Sequence, residues 1–310
     1  ALDVILTSRS LTRAQALVDA LRPCARCAAI TALAFTRTQN EARAFETQRP
    51  WLVIDASGPF QSAGYGTARA AIEAGAHWID LADAADYVTG FATALDASAR
   101  RKGVTAIAGA SSTPALSYAA AETLTRGWRS VEIIDIAIYP GGDAQVGRAV
   151  LESVLSYAGS PVAIWKDNKP ATVMGWGIAQ RTRIPDLGVR YRAPVATSDA
   201  AILPAALGAA NVAFHAGLES RLEQFGLVAL ARLRVAGWLT DPVRLVPMLY
   251  HSRAVTRIFA RDTGGMTVTA MGHDARGAPI SSRWLLVAHN GDGPHVPVLP
   301  ALATLRRMLV

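Results

Sequence analysis

The chain has little cysteine, little lysine and no block of like charge, and each shortage removes a class of protein. Two cysteines cannot build a disulfide framework, and Cys24-Ala25-Arg26-Cys27 lacks the second pair or histidine arm of a zinc site. That usage fits a reducing, cytoplasmic setting, and no metal is expected. There are 31 basic against 24 acidic residues, but only Lys102, Lys166 and Lys169 are lysines, and no arginine run exceeds a doublet such as Arg306-Arg307. Residues 1–130 carry 13 basic and 11 acidic groups and residues 131–310 carry 18 and 13, so neither part is a basic module for nucleic acid. No charged segment followed by an apolar one marks a signal peptide. Uncharged runs from Gly103 to Ala121 and from Ala200 to Leu218 are long enough to cross a membrane. Pro114 with its Ser and Thr neighbours interrupts the first, and Pro204, Gly208, Asn211 and His215 interrupt the second, so both read as buried core and no membrane span is expected.

What is present is apolar and regular: 51% of 310 residues are hydrophobic, enough for about two domains. Asp3 to Thr7, Ala28 to Phe35, Trp51 to Ala56, His77 to Ala82 and Val104 to Ala108 read as strands. Helical stretches over Leu11 to Leu21, Asn40 to Gln48, Ala63 to Ala74 and Ala92 to Lys102 separate them. Strands apolar on both faces, each followed by one helix, predict a doubly wound parallel α/β sheet. After Trp128 the rhythm changes. Val131 to Tyr139 is a strand and Arg148 to Ala158 a helix. Val162 to Trp165 and Ala171 to Trp176 flank the Asp167-Asn168 turn as a hairpin, and Met266 to His273 and Ile280 to His289 flank Asp274 to Gly277 as another. Helices are expected over Leu218 to Ala236 and Pro242 to Phe259. This pattern predicts a second, α+β domain. The expected boundaries are 1–127 and 128–294, with the stripe Val298, Leu302, Leu305 and Leu309 forming a helix in 295–310 that returns to the first domain.

In an open parallel sheet, ligands bind beyond the carboxyl ends of the strands. Those ends are Ser8-Arg9-Ser10, Ser57-Gly58-Pro59-Phe60, Asp80-Leu81-Ala82-Asp83 and Gly109-Ala110-Ser111-Ser112, all rich in small or polar residues. Four such ends in a βαβ series point to a cofactor cleft, and a nicotinamide dinucleotide is the natural occupant. The G-x-G-x-x-G fingerprint is absent. Gly64-Tyr65-Gly66-Thr67-Ala68-Arg69 lies past a strand end and closes on Arg, so it reads as glycines at a helix start. The strand ending at Ser8 behaves as the second of such a fold, where an acid would hold ribose and an Arg a 2′-phosphate. Arg9 therefore favours NADP, with NAD an alternative, and a solvated loop arginine is the plain reading.

Ile54-Asp55-Ala56-Ser57-Gly58-Pro59-Phe60-Gln61, Tyr65-Gly66, Ala70 to His77, Ile79-Asp80-Leu81-Ala82-Asp83, Leu95 to Ala99 and Gly109 through Thr113-Pro114-Ala115-Leu116-Ser117 together resemble the dinucleotide-binding domain of the saccharopine dehydrogenase family. The resemblance runs in order from about Val4 to Ala121, and Val173 to Trp176, Leu203-Pro204 and Trp284 to Pro300 extend it more weakly. It implies a Rossmann-type domain for NADP or NAD, then an α+β domain for substrate contacts and often a dimer interface. Two features depart from the pattern: the first strand and its glycine loop are not in this sequence, and Ala115 stands where the family has Gly. On the first ground the chain is expected to be part of a longer polypeptide, with an empty slot between the strands ending at Ser8 and Ser57.

The expected activity is NADP-dependent hydride transfer to or from a small amino-acid-like, imine or enoyl substrate. The alternative is a non-catalytic NADP-sensing or interaction module on the same fold. Asp83 and Tyr65 are the candidate catalytic residues. Ser8, Arg9, Ser10, Ala56, Ser57, Gly58, Pro59, Phe60, Asp80 and Gly109 are the candidate cofactor contacts, although Asp80 also reads as a hydrogen-bonded sheet carboxylate. His77 reads as a helix cap or half-buried strand residue. His215 and Arg221, placed around a helix start, could meet an anionic substrate or be structural. A homodimer through the 128–290 region is expected, because an uncovered sheet edge invites pairing.

Overall fold

A computed structural model describes residues 2–24, 26, 29–37, 41–142, 148–247 and 262–310 of the chain. Cys27, Ala28, Asn40 and the last two-thirds of the helix expected at Pro242 to Phe259 lie outside the described residues. The chain divides into two compact units: Ala1–Ile54, Gly64–Ile79 and Thr93–Ala106 make unit one, and Asp55–Ala63, Asp80–Ala92 and Ile107–Val310 make unit two.

Unit one follows the βα alternation. Strand β1 (Asp3–Ser8) leads to helix α1 (Leu11–Leu21), whose buried residues Ala14 and Val18 lie four apart on one face. Strand β2 (Ala29–Ala34) then pairs with β1 in parallel, from Asp3 opposite Ala29 to Ser8 opposite Ala34. Helix α2 (Glu41–Gln48) buries Phe45, and β3 (Leu52–Asp55), β4 (His77–Asp80) and β5 (Ala106–Ile107) form a second sheet in that order. Helix α3 (Gly66–Glu73) buries Ala68, Ala71 and Ile72, while α4 (Ala85–Lys102) begins earlier than its polar residues suggest. The reason is the stripe Tyr87, Phe91 and Leu95, all buried and four apart, which Gly90 had masked in the sequence. The two sheets stay separate: β1 pairs only with β2 among the described strands, and β3 only with β4.

Unit two is built on an eight-stranded sheet. Helix α5 (Ser117–Thr125) precedes the long strand β6 (Ser130–Tyr139), and α6 (Arg148–Tyr157) follows it. Strands β7 (Pro161–Lys166) and β8 (Lys169–Met174) form the expected hairpin, with Lys166 opposite Lys169. Asp167 and Asn168 both have positive φ, 51° and 60°, the geometry that a two-residue turn needs to match strand twist. A second hairpin joins β9 (Gln180–Ile184) to β10 (Gly188–Pro194). Helix α7 (Asp199–Leu207) ends on Gly208 at φ 64°, and the chain turns at once into β11 (Ala209–Ala216). His215 is therefore a strand residue and does not sit at a helix start. Helix α8 (Arg221–Val235) is capped by Ser220, whose hydroxyl accepts from Glu223 N–H. Strands β12 (Gly264–His273) and β13 (Pro279–Ala288) pair along their whole length, from Gly264 opposite Ala288 to His273 opposite Pro279.

The strand order is β13-β12-β6-β11-β10-β9, with β7 joined to β11 and β8 to β7. Only β6 and β11 of this sheet run parallel, which explains the mixed signature of the sequence. One face buries Ile134, Ile136, Val212, Phe214, Met266 and Val268 beneath α5 and α7. The other carries Ala137 and Tyr139 under Ile184 and Leu187 of the β9–β10 hairpin. A 3-10 turn (Gly293–Val298) and helix α9 (Leu299–Met308) close the chain, both lying against the Ser112–Leu116 turn. No helix among the described residues is long and apolar enough to cross a membrane.

Candidate active site

Unit two contains a cavity of about 470 Å³, a volume suited to a small-molecule substrate. Asp83, Ser111, Tyr157, Trp176, Thr197 and Met266 mark its circumference, and most of the remaining wall is aliphatic or aromatic. The loops after β4 and β5 reach it directly, since Leu81, Asp83 and Ser111 to Thr113 line it.

Asp80 anchors these loops. Its side chain is fully buried; Oδ1 accepts from Ala82 N–H at 3.1 Å and Gly109 N–H at 2.9 Å, and Oδ2 accepts from the Tyr87 hydroxyl at 3.2 Å. Gly109 can be nothing larger: its φ is 77°, and an added Cβ would stand 2.8 Å from Pro114 Cδ. The loop after β3 is fixed in the same way, with Asp55 Oδ1 accepting from the Ser57 N–H at 2.9 Å and hydroxyl at 2.6 Å. Phe60 is buried against the Tyr87 ring, with centroids 5.3 Å apart. Ala56 to Pro59 remain exposed.

Asp83 itself is accessible at the cavity yet hemmed in by protein, and the resulting loss of water pushes its carboxyl above the usual range. The Gln61 amide stands 3.5 Å from Oδ1, a marginal bond. Its charge acts on Tyr157, whose hydroxyl is raised first by burial and then by Asp83. Behind Thr197, Asp199 is fully buried and pushed up to about 6 by that burial, with Asp83 adding to the rise while Ser117 and Thr197 oppose it. Thr197 Oγ1 donates to Asp199 Oδ2 at 2.7 Å, and the Ser117 hydroxyl bonds Oδ1. Ser198 N–H donates to the Asp83 carbonyl at 3.0 Å and so ties the two loops together.

A third carboxylate, Asp135 on β6, is held differently. Arg192 on β10 donates to both oxygens, at 3.0 and 2.6 Å, and His215 Nδ1 on β11 lies 3.0 Å from Oδ1. Burial pushes Asp135 up, but His215 and Arg192 outweigh it and hold the carboxyl below the usual range. His215 is thus occupied with Asp135, while the Arg221 guanidinium stacks 5.5 Å over the Tyr191 ring.

Of the residues singled out in the sequence, Ser8, Arg9, Ser10, Tyr65 and His77 belong to unit one, and Ala56 to Phe60, Asp80, Asp83 and Gly109 to unit two. Ser10 caps α1 by accepting from Arg13 N–H, Ser8 Oγ accepts from Ser10 N–H at 3.3 Å, and Arg9 is exposed. Tyr65 is half-buried at the start of α3. His77 accepts from Thr105 N–H at 2.9 Å through Nδ1 and caps no helix. Thr197 and Asp199 give no signal in the sequence, because a Thr-Ser-Asp string is also an ordinary helix start, and Ser117 enters only as the end of the family-like string from Gly109.

The architecture is that of a Rossmann-type α/β protein joined to a mixed-sheet unit, a dehydrogenase fold. Residues 1–107 match the family model of the saccharopine dehydrogenase NADP binding domain, so the resemblance read from the sequence is shown over that stretch. The chain is similar in structure to the apo, histidine-tagged saccharopine dehydrogenase (L-Glu forming) of Saccharomyces cerevisiae. The TM-score is 0.58 at 13% identity, covering 98% of this chain and 90% of that one. A probable dehydrogenase from Thermotoga maritima gives a TM-score of 0.42 at 7% identity over 90% of this chain and 68% of its own. An NAD binding oxidoreductase from Klebsiella pneumoniae gives 0.35 at 14% over 95% and 68%. No curated protein matches the sequence. The domain match supports a dehydrogenase-type oxidoreductase with a nicotinamide dinucleotide as cofactor.

Proposed function

We propose that the protein is an NADP-dependent oxidoreductase acting on a small amino-acid-like, imine or enoyl substrate, with Asp83 exchanging the proton that accompanies hydride transfer. The observation that carries this reading is the Asp83 carboxyl: accessible at a cavity of about 470 Å³, raised by burial and without a cationic partner among the residues that shift it. A carboxyl so placed takes up a proton more readily than a free one and can pass it to a substrate atom. Tyr65 of unit one is the second catalytic candidate, through its hydroxyl.

The residues present fit the cofactor. In unit one, Arg9 is exposed at the end of β1 with no acid beside it in sequence, which suits the 2′-phosphate of NADP better than a bare ribose. Ser8 and Ser10 flank it there. In unit two, the exposed residues Ala56, Ser57, Gly58 and Pro59 stand at a strand end, where such a cofactor binds, with Phe60 and Gly109 shaping the loops and Asp80 pinning those after β4 and β5. When bound, the cofactor supplies or accepts the hydride. Residues 1–127 make the dinucleotide domain in this reading, 128–294 the part for substrate contacts and homodimer formation, and the protein works in the cytoplasm.

The test is oxidation of NADPH across amine, keto-acid and enoyl compounds, with binding of both cofactors measured in parallel. NADP is expected to bind tighter than NAD, and Arg9→Ala to remove the preference by weakening NADP alone. Equal affinities in the wild type overturn the NADP assignment. NADPH binding with no turnover of any compound leaves a cofactor-sensing module.

A further inference from the structure

Asp83 is not the only carboxyl facing this cavity's chemistry. The segment Ala196-Thr197-Ser198 turns from β10 into α7 and places the half-buried Thr197 in the wall, with Asp199 fully buried directly behind it. The bonds there can be counted. The Ser117 hydroxyl has one proton and two oxygen partners, the Pro114 carbonyl at 2.9 Å and Asp199 Oδ1. A single proton cannot serve both. A proton on Asp199 resolves the count, because the acid donates to Ser117 Oγ while Ser117 donates to Pro114. The same proton on the other oxygen would donate to Thr197 Oγ1, which is 2.7 Å from Oδ2, and free the threonine hydroxyl to point its own proton into the cavity.

Resting on the hydride-transfer reading above, we propose that Thr197 and Asp199 form a proton relay into the cavity, with Thr197 the group that meets substrate and Asp199 the reservoir behind it. When a C=N bond is reduced, Asp83 gives the nitrogen the one proton that completes the reduction, and the Thr197 hydroxyl gives it a second, so that the product leaves as an ammonium ion. Thr197 recovers one from Asp199, whose oxygen keeps the electron pair of the broken O–H bond. The carboxylate left behind is held by the Ser117 and Thr197 hydroxyls, and solvent restores its proton after product leaves. The direction of the shift agrees: burial raises the acid, and the one titratable group acting on it, Asp83 across the cavity loops, raises it further. Full burial keeps Asp199 itself from solvent, so its proton needs a path, and Thr197 is the hydroxyl that joins it to the cavity.

The test uses the whole protein without added cofactor as well as with it. Infrared difference spectra across a pH titration should show a carboxylic acid band that disappears near pH 6 and is missing from Asp199→Asn. After transfer to heavy water, the band's isotope shift should be at least about tenfold slower in Thr197→Val than in the wild type, with Thr197→Ser restoring it. With substrate, Thr197→Val should lose about 100-fold in turnover while NADPH affinity stays unchanged, and Thr197→Ser should stay within a few-fold. Unchanged exchange in Thr197→Val, or the same band persisting in Asp199→Asn, overturns the relay. If the wild type turns over nothing, the hydride-transfer reading fails on its own, and the exchange rates still decide whether the relay exists.

Discussion

Asp135 on β6 and Asp199 at the start of α7 are both carboxylates enclosed by unit two, yet their surroundings push them in opposite directions. Asp135 meets Arg192 through two oxygens and His215 through one, so charge opposes charge and the ionised form is held. Asp199 meets the Ser117 and Thr197 hydroxyls, its own backbone N–H and the field of Asp83, with no cation among them, and burial pushes its carboxyl up to about 6. Asp80 is intermediate: fully buried, it satisfies its oxygens with two backbone amides and a tyrosine hydroxyl and takes no cation among these bonds. The difference shows what each cluster is suited to. Asp135 joins three strands of the sheet through complementary charge, Asp80 sets the loops, and Asp199 keeps a proton beside the cavity.

The largest effect should come from breaking the paired cluster. Arg192→Met leaves the enclosed Asp135 with only His215, and urea unfolding should show a loss of about 3 kcal/mol, largely recovered when Asp135→Asn is added. A loss that persists in the double variant would make packing, and not charge, the source. The pH dependence then separates the two acids. Asp199 is raised, so its contribution to stability is complete below the unfolded-state value of about 4 and fades as pH rises through about 6. The difference between wild type and Asp199→Asn should therefore change by about 3 kcal/mol between pH 4 and pH 8. Asp135 is lowered, so its contribution is present above that unfolded-state value and is lost as pH falls toward and through the depressed one.

Smaller effects test the intermediate case. Gly109→Ala must take φ 77° and meet Pro114 Cδ, and should cost about 2 kcal/mol in thermal or urea unfolding. Tyr87→Phe removes one neutral donor from Asp80 and should cost about 1 kcal/mol. If Tyr87→Phe matches Arg192→Met in magnitude, the distinction between neutral and charged anchoring of buried carboxylates fails.

Much of the fold was legible because periodicity reports burial. Ala14 and Val18 marked α1, and Asp167-Asn168 marked its hairpin through residues that tolerate positive φ. The β9–β10 hairpin was missed because Gln180-Arg181-Thr182-Arg183 reads as loop when it is an edge strand. The run from Ala200 to Leu218 reads as buried core, but apolar content alone does not separate α7 from β11; Gly208 at φ 64° does. Within the site, Asp83 is legible as a candidate because it stands at a strand end, where topology predicts ligands. Asp199, Thr197 and Ser117 were not, because a bond between residues as distant in sequence as Ser117 and Asp199 exists only once α5 and α7 pack side by side.

In the proposed function the carboxyls at the cavity do the chemistry and the ion-paired one holds the sheet. Steady-state NADPH oxidation by Asp83→Asn and by the Arg192→Met, Asp135→Asn pair, on a substrate the wild type reduces, tests it most directly. Asp83→Asn should lose about 100-fold or more in turnover with its unfolding midpoint and NADPH affinity unchanged, while the paired variant keeps turnover within a few-fold. Wild-type turnover in Asp83→Asn, or a loss of activity confined to the Asp135 pair, would contradict it.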